Sequence, residues 1–455
     1  MKNYDVIWIG TGQATGTLVP QLRALGQSVA VIEEDRVGGT CVNWGCTPTK
    51  ALVAAAKVAH VARTSAAFGI DVGSLTVDFP RVMARMNALR TGESAGFEAW
   101  LRTLVDFYPG HGEFVGAHEV RVGKEILRGE TIYIHTGTRA TVPDLPGLEA
   151  VTALDNRGLL ALETLPEHLI VLGGSYIALE FAQIFRRLGS RVTVIQRSPR
   201  LVVQEDQDFS ANVLQVLQSE GIEVHLDTTL DRVDAVGSGV RVSYREKGQL
   251  ATVTGSHLFL GLGRTPNSDR LGLAIAGVAT DPRGYIPTDE FLRTNVEHIF
   301  ALGDVNGRGA FTHTSVHDGQ VVQSLLTGGN WSAQDRIPIH AMFLDPPLAR
   351  VGMTETQAVA SGRQVLKATR AMERIARARE KGETQGMVQF LVDGDSRKVL
   401  GCTILGVGGD EVINLVAAWM ASGLTVEAIK KTVLVHPTVA ELLPWILDDL
   451  QPVGR

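Results

Sequence analysis

The sequence predicts an α/β protein made of two doubly wound units followed by a C-terminal α+β segment. Three observations lead to this class. A strand–glycine turn–helix–strand unit occurs twice, once near Tyr4 and again near His168. The strands of both copies are apolar on both faces, as parallel strands covered by helices on each side must be. The chain has 455 residues, too many for one ordinary core, so roughly two to four domains are expected.

The elements follow in order. In the first copy, residues 5–9 read as a strand, Gly10 and Gly12 form the turn, a helix runs to about Leu25, and 28–32 form the next strand. Residues 50–104 read as helical and the stretch to Gly147 as mixed β. The second copy has a strand at 169–172, the turn Gly173-Gly174-Ser175, a helix at 176–188 and a strand at 191–195. A buried strand at 258–262 ends at Gly263-Arg264-Thr265-Pro266-Asn267. Another apolar strand, 299–302, runs into Gly303-Asp304. From about Arg336 the pattern changes, with strands at 386–392 and 399–405, then helices at 410–422 and 426–431. No low-complexity linker interrupts the chain, so close domain packing is expected.

Composition narrows the class. Hydrophobic residues make up 44% and charged residues 20% of the chain, as in globular proteins. The 49 glycines exceed the usual share of about 7% and predict many tight turns and close backbone approaches. A net charge of −6 gives no support to nucleic-acid binding. No apolar run reaches the roughly 18 residues of a membrane span. The apolar run ending at Gly10 is too short for a signal-peptide core, so a cytoplasmic location is expected.

The first glycine turn follows a strand and opens a helix. That geometry aims backbone N–H groups and a helix dipole at a pyrophosphate. Glu33 ends the second strand, about 20 residues on, where an acid can bond ribose hydroxyls. Thr15 occupies the third glycine slot, with Gly16 beside it.

Only Cys41, Cys46 and Cys402 supply sulfhydryls. Two cysteines this close in a reducing compartment indicate redox chemistry or metal binding. Residues five apart in a regular helix are separated by about 7.5 Å along the axis, and a disulfide needs Cα atoms within about 6.8 Å. A Cys41–Cys46 bond therefore requires irregular backbone, which Asn43 and Gly45 tolerate. A structural disulfide is disfavoured in the cytosol, and a zinc site would need further ligands that do not cluster nearby.

The segment Gly38-Gly39-Thr40-Cys41-Val42-Asn43-Trp44-Gly45-Cys46-Thr47-Pro48-Thr49-Lys50 resembles the redox motif of the class I pyridine nucleotide-disulfide oxidoreductases. That family includes glutathione reductase, dihydrolipoamide dehydrogenase and mercuric reductase. The resemblance implies two Rossmann-like dinucleotide-binding domains, one for FAD and one for NAD(P), plus a C-terminal α+β dimerisation domain. It divides the chain into an FAD-binding domain at 1–148 and 268–334, a nicotinamide domain at 149–267 and the dimerisation domain at 335–455. It makes Cys41 the thiol that exchanges with substrate. Cys46 becomes the thiol against the flavin, able as a thiolate to form a charge-transfer complex with it.

Further residues carry the same resemblance. Gly39, Thr40, Thr136, Gly137, Gly303, Asp304, Phe311, Thr312 and His313 join Gly10, Gly12 and Glu33 as FAD contacts, with Asp304 on the ribityl chain and His313 in a slot usually Pro or Tyr. The turn at Gly173, Ser175, Tyr176, Ile177 and Glu180 resembles the nicotinamide turn, with Ser175 in place of a glycine, and Gly263 marks the return from that domain. Tyr176 resembles the gate residue that nicotinamide displaces from the flavin. Lys50 and Glu180 resemble a buried ion pair near the flavin N5. Gln196 stands where an NADH enzyme usually places an acid, and Arg197 and Arg200 follow. NADPH is therefore the expected coenzyme, with NADH as the alternative. His436-Pro437-Thr438-Val439-Ala440-Glu441 resembles the family's acid–base signature. It implies a His436–Glu441 dyad that reaches the partner's cysteines in an obligate homodimer.

The acceptor stays open among a disulfide, a reactive oxidant and a soft metal ion. The tail 448–455 lacks the vicinal cysteines of ordinary mercuric reductases, and Cys402 is expected to be buried and inert. Residues 346–355 and 376–379 look closest to mercuric-reductase-like proteins and the reactive-chlorine-resistance flavoproteins. Paired thiolates at Cys41 and Cys46 could hold a soft ion such as Cu(I) or Hg(II) transiently. A Cu(II)- or mercury-reducing enzyme, a dihydrolipoamide dehydrogenase and a redox-sensing flavoprotein without turnover are the alternatives.

Overall fold

In the computed structural model, which describes residues 1–453, the first unit is a mostly parallel sheet. Lys2–Ile9 lies at its centre, parallel to Val29–Glu33 on one side and to Glu125–Ile134 on the other. Ile7 therefore sits between Ala30 and Ile132. Residues 6–9 are all buried: helices cover Val6 and Trp8 on one face, and the strands and loops that carry Phe114, Val120 and Leu271 cover Ile7 and Ile9 on the other. Ile299–Ala301 returns from far along the chain to pair parallel with the end of Glu125–Ile134. Gly303 and Asp304 are thereby delivered beside Gly10 and Gly12.

The second unit is a parallel sheet ordered Glu223–His225, Arg191–Ile195, His168–Leu172, His257–Leu260, Ala153–Leu154. The helix Tyr176–Leu188 and the strand Arg191–Ile195 fall where the apolar pattern places them. The hairpin sheet Thr228–Val236, Gly239–Glu246, Gln249–Gly255 is an addition to the sequence reading. Its middle strand alternates buried and exposed residues and packs Val240, Val242 and Tyr244 against Ile170 and Leu172. The chain leaves the first unit through Thr138–Ala140 and re-enters through Arg264–Pro266, and these two crossings pair antiparallel.

The third unit is an antiparallel sheet ordered Ile339–Met342, Leu348–Gly352, Val399–Leu405, Met387–Asp393, Val365–Ala371, Gln451–Pro452. Its two central strands are buried along their whole length. One apolar core joins all three units, with Leu52 and Phe79 from the first, Phe185 and Leu217 from the second, and Met342 and Leu405 from the third.

The helical region differs in detail from the expected 50–104. It begins earlier, as Gly39–Trp44 and Cys46–Thr64, then breaks before Phe79–Leu101. Gly69, at φ +74°, ends the intervening turn, and Asp78 caps the next helix by accepting from the Arg81 N–H at 3.0 Å. No helix among the described residues is long and apolar enough to cross a membrane.

Candidate active site

A cavity of about 840 Å³ opens where the three units meet. Its floor is the first glycine turn. Gly10 has φ +94°, and a Cβ there would lie 2.4 Å from the His135 carbonyl oxygen. A Cβ on Gly12 would strike the His135 ring, and one on Gly39 would lie 3.1 Å from the Gly12 Cα. Backbone thus replaces side chains along one wall, a cradle shaped for a flat or phosphorylated ligand. For the FAD that the sequence resemblance implies, Gly10→Ala is expected to weaken binding roughly tenfold or more, measured as flavin released per protomer on dilution.

Glu33 is held at the cavity edge by three hydrogen bonds. Its Oε2 accepts from the Thr11 N–H at 2.8 Å and the Thr11 hydroxyl at 2.6 Å, and its Oε1 from the Asp35 N–H at 2.8 Å. Burial pushes its carboxyl up from the usual range, and the hydrogen bonds offset part of that. Thr15 in the third glycine slot is accommodated because the close helix contact falls elsewhere. A Cβ on Gly319, in Thr312–Leu326, would lie 3.4 Å from the Ala14 carbonyl oxygen.

The redox segment forms the next wall. Gly39–Trp44 is a short helix, Gly45 breaks it at φ −138°, ψ −110°, and Cys46 opens the next helix. The irregularity lies at Gly45 alone, where a Cβ would meet the Thr40 carbonyl oxygen at 2.9 Å. Asn43, expected to share it, is helical and buried. Its amide donates to the carbonyls of Val37 and Gly39 at 3.0 and 3.1 Å, clamping the loop.

Cys41 and Cys46 are free thiols here, both on the wall of the cavity. The Cys46 sulfur lies 3.3 Å from the Thr312 hydroxyl. The neighbouring Cys41 thiol, helped by Thr312 and the Lys50 charge, overcomes burial and pushes Cys46 down to about 6. The Cys46 sulfur, together with burial, pushes Cys41 up.

Lys50 Nζ lies 2.7 Å from Glu180 Oε2. The expected burial holds for one partner only: Glu180 is 6% exposed and Lys50 32%, because the ammonium faces the cavity. The other Glu180 oxygen accepts from the Phe343 N–H at 2.7 Å.

Gly173, at φ +110°, would place a Cβ 2.3 Å from the Gly261 carbonyl oxygen. Ser175, Tyr176, Ile177, Glu180 and Gly263 line the same cavity as the first turn. The Ser175 hydroxyl accepts from the Gln204 amide at 3.2 Å. Gln196, Arg197 and Arg200 stand apart at the end of Arg191–Ile195. Gln196 packs against Gly174, and Arg200 donates to the Val203 carbonyl at 2.8 Å.

Asp304 accepts from the Thr138 hydroxyl at 3.0 Å and lines the cavity with Thr136, Gly137, Thr40, Phe311, Thr312 and His313. Gly303 lies just behind, its N–H donating to Asp318 at 2.8 Å. His313 is exposed, stacks on Phe311 and hydrogen-bonds through Nε2 to the Ile339 carbonyl at 2.7 Å. Cys402 is buried, and burial raises its thiol well above the usual range.

The dyad forms, yet this protomer does not bring it to the cavity. His436 Nδ1 lies 2.9 Å from Glu441 Oε2. The imidazole is 76% exposed, in a separate depression of about 540 Å³ beside exposed Val433 and Trp445.

Sequence reasoning missed two clusters. Trp44, between the cysteines, donates to Asp35 at 3.0 Å and carries Arg90 and Arg157 each 4.9 Å from its ring. Glu205 and His340 meet the Tyr176 hydroxyl, and Arg350 holds the other oxygen of Glu205. Neither has a local signature, because the partners lie far apart in sequence. Among the described residues no group of three or more His, Cys, Asp or Glu could hold a metal ion.

Comparison with known proteins agrees with this geometry. A model of the pyridine nucleotide-disulphide oxidoreductase family matches residues 4–319, and its dimerisation domain matches 339–447. The probable pyridine nucleotide-disulfide oxidoreductase RclA of Escherichia coli (strain K12) is 35% identical, over 97% of this chain and 98% of that protein. The mercuric reductase of Streptomyces lividans is 33% identical, over 97% and 94%. A solved Cu(II) complex of the HOCl-induced flavoprotein disulfide reductase RclA from Escherichia coli superposes with a TM-score of 0.89 at 33% identity, covering 99% of each chain.

Proposed function

The chain belongs to the pyridine nucleotide-disulphide oxidoreductases, and from that premise we propose that it draws electrons from NADPH to reduce a small oxidant through Cys41 and Cys46. FAD and a nicotinamide nucleotide are typical of the family, and the glycine-walled cavity fits the former. Bound there, FAD would supply the relay of two electrons from a nicotinamide hydride to the Cys41–Cys46 disulfide. The observation that carries the reading is the Cys41–Cys46 pair on the wall of that cavity, with the Cys46 sulfur 3.3 Å from the Thr312 hydroxyl.

The residues then divide the work. Gly10, Gly12, Gly39, Thr40, Glu33, Thr136, Gly137, Gly303 and Asp304 hold the dinucleotide. Lys50, steadied by Glu180, presents a positive charge toward the reacting end. Two electrons and one proton convert the disulfide to a Cys46 thiolate and a Cys41 thiol. The partner subunit's His436, oriented by the partner subunit's Glu441, takes the Cys41 proton. Cys41 then attacks the acceptor, forming a mixed disulfide where the acceptor is one. The departing thiolate regains the proton, and Cys46 attacks Cys41 to restore the disulfide and release the second thiolate, which takes a proton from solvent.

The relatives favour an oxidant or soft metal ion as acceptor. RclA is described as HOCl-induced and was solved with Cu(II), and a mercuric reductase is nearly as similar in sequence. The test is an anaerobic NADPH titration followed by turnover with glutathione disulfide, lipoamide, hypothiocyanous acid, Cu(II) and Hg(II). Rapid turnover with hypothiocyanous acid or a metal ion, and slow turnover with lipoamide, is expected. Negligible turnover with every acceptor would make the protein a redox sensor.

The NADPH preference rests on Gln196, Arg197 and Arg200. An acid at position 196 would repel a 2′-phosphate and bond a 2′-hydroxyl. Gln196→Glu is expected to shift the ratio of kcat/KM values toward NADH by roughly tenfold or more, read from paired steady-state assays. A wild-type enzyme with the lower KM for NADH would refute the assignment.

A further inference from the structure

We infer that Glu205 and His340 form a latch that holds Tyr176 across the nicotinamide entrance and so sets how readily the coenzyme reaches the flavin. The inference rests on the reading of Tyr176 as the residue that nicotinamide displaces.

Tyr176 opens the helix Tyr176–Leu188, and Glu205 lies in the loop after Arg191–Ile195. The Glu205 side chain is completely buried. Its Oε1 accepts from the Tyr176 hydroxyl and lies 3.0 Å from His340 Nε2. Its Oε2 accepts from Arg350 Nε at 2.8 Å. The Tyr176 oxygen lies 2.6 Å from the same His340 nitrogen. A phenol has one proton to give. With that proton on Glu205, the Tyr176 oxygen is free to accept from the His340 N–H. The one His340 Nε2–H is shared between the Tyr176 oxygen and Glu205 Oε1, so tyrosine, carboxylate and imidazole form one hydrogen-bonded cluster.

The cluster spans two units, since His340 belongs to Ile339–Met342 and Arg350 to Leu348–Gly352. Burial alone would favour a neutral Glu205, but the His340 hydrogen bond and the Arg350 charge hold its carboxyl down to about 2. The acceptor of the Tyr176 proton is therefore ionised at working pH. Tyr176 is also gripped by its face. Its ring lies 5.3 Å from His340, which stacks on Phe311 at 5.4 Å and 7°. Tyr176, Phe311 and His340 line the cavity.

A side chain that must swing aside is thus tied to a buried, charged acceptor. Swinging it out removes one donor from Glu205, and the open form is correspondingly scarce. Apparent coenzyme affinity falls by the fraction of molecules that are open. Glu205 and His340 are positioning residues, acting through Tyr176.

The test is stopped-flow reduction of the holoenzyme flavin by NADPH under anaerobic conditions, with melting temperature measured in parallel. Tyr176→Phe keeps the ring and removes the hydroxyl. His340→Phe keeps the stack on Phe311 and removes the nitrogen. Both are expected to lower the apparent Kd for NADPH, Tyr176→Phe by roughly tenfold, the scale of one charge-assisted hydrogen bond. A purely structural network would lower the melting temperature and leave the apparent Kd unchanged, and that result overturns the latch. A wild-type holoenzyme that neither NADPH nor NADH reduces would overturn the electron-transfer reading and the latch with it. Normal reduction of wild type with unaltered variants overturns the latch alone.

Discussion

Cys46→Ser is expected to abolish acceptor turnover, by on the order of 10³-fold or more, while NADPH still reduces the flavin. The chain has three cysteines, and Cys402 is buried in the third unit. Cys41, the other thiol on the cavity wall, cannot form the redox disulfide alone. The spectrum should change as well. With both thiols free, Cys46 opens a 19-residue helix and lies 3.3 Å from the Thr312 hydroxyl, two features that favour a thiolate. With its pKa pushed down to about 6, the thiolate is the main form at pH 7. Its long-wavelength absorption with the flavin should fade as pH falls through about 6. Cys41→Ala removes the largest lowering influence, so the midpoint should move upward and the band should survive at high pH. Cys46→Ser should lack the band at every pH. A band that persists in Cys46→Ser would reverse the assignment of the two sulfurs.

His436→Ala is expected to slow thiol-linked turnover by roughly 10²–10⁴-fold, the usual contribution of a positioned acid–base group. Glu441→Gln should slow it less, because the imidazole remains. The family's dimerisation domain covers 339–447 and implies a homodimer. The exposed dyad beside Val433, Val435 and Trp445, away from this chain's own cysteines, is what a shared site requires. Mixed dimers give the decisive measurement. Cys46→Ser and His436→Ala chains are each inactive as homodimers. In a heterodimer, one shared site receives both lesions and the other receives neither. After random exchange, half the dimers are mixed and each has one working site, so about a quarter of the wild-type rate should return. If each dyad serves its own chain, the mixture stays inactive.

Legibility varied with the range of the interaction. The two strand–turn–helix units were readable because apolar runs and glycines act within a few residues. The helix Tyr176–Leu188 and the strands Arg191–Ile195 and Val399–Leu405 lie where the pattern puts them. The hairpin sheet between residues 228 and 255 escaped notice. Its alternating strands are only half buried and compete with solvent-facing loops of similar composition. The break in the redox segment was foreseen from the five-residue spacing. Its placement at Gly45, with Asn43 as a helical clamp, needed the Thr40 carbonyl and the loop at 37–39 to be in position.

By itself the sequence determined the fold class, the family, the thiol pair and the dyad, since each is written in contiguous residues whose chemistry needs that spacing. Tertiary structure alone decided which groups share a cavity and which charge each carries. Cys46 is pushed down chiefly by Cys41 beside it, with Thr312, 266 residues away, and Lys50 adding to the effect. Lys50 remains partly exposed while Glu180 is buried, and Glu205 meets His340 and Arg350 only when two units close on one another. Such couplings depend on distance and burial, which no local pattern encodes.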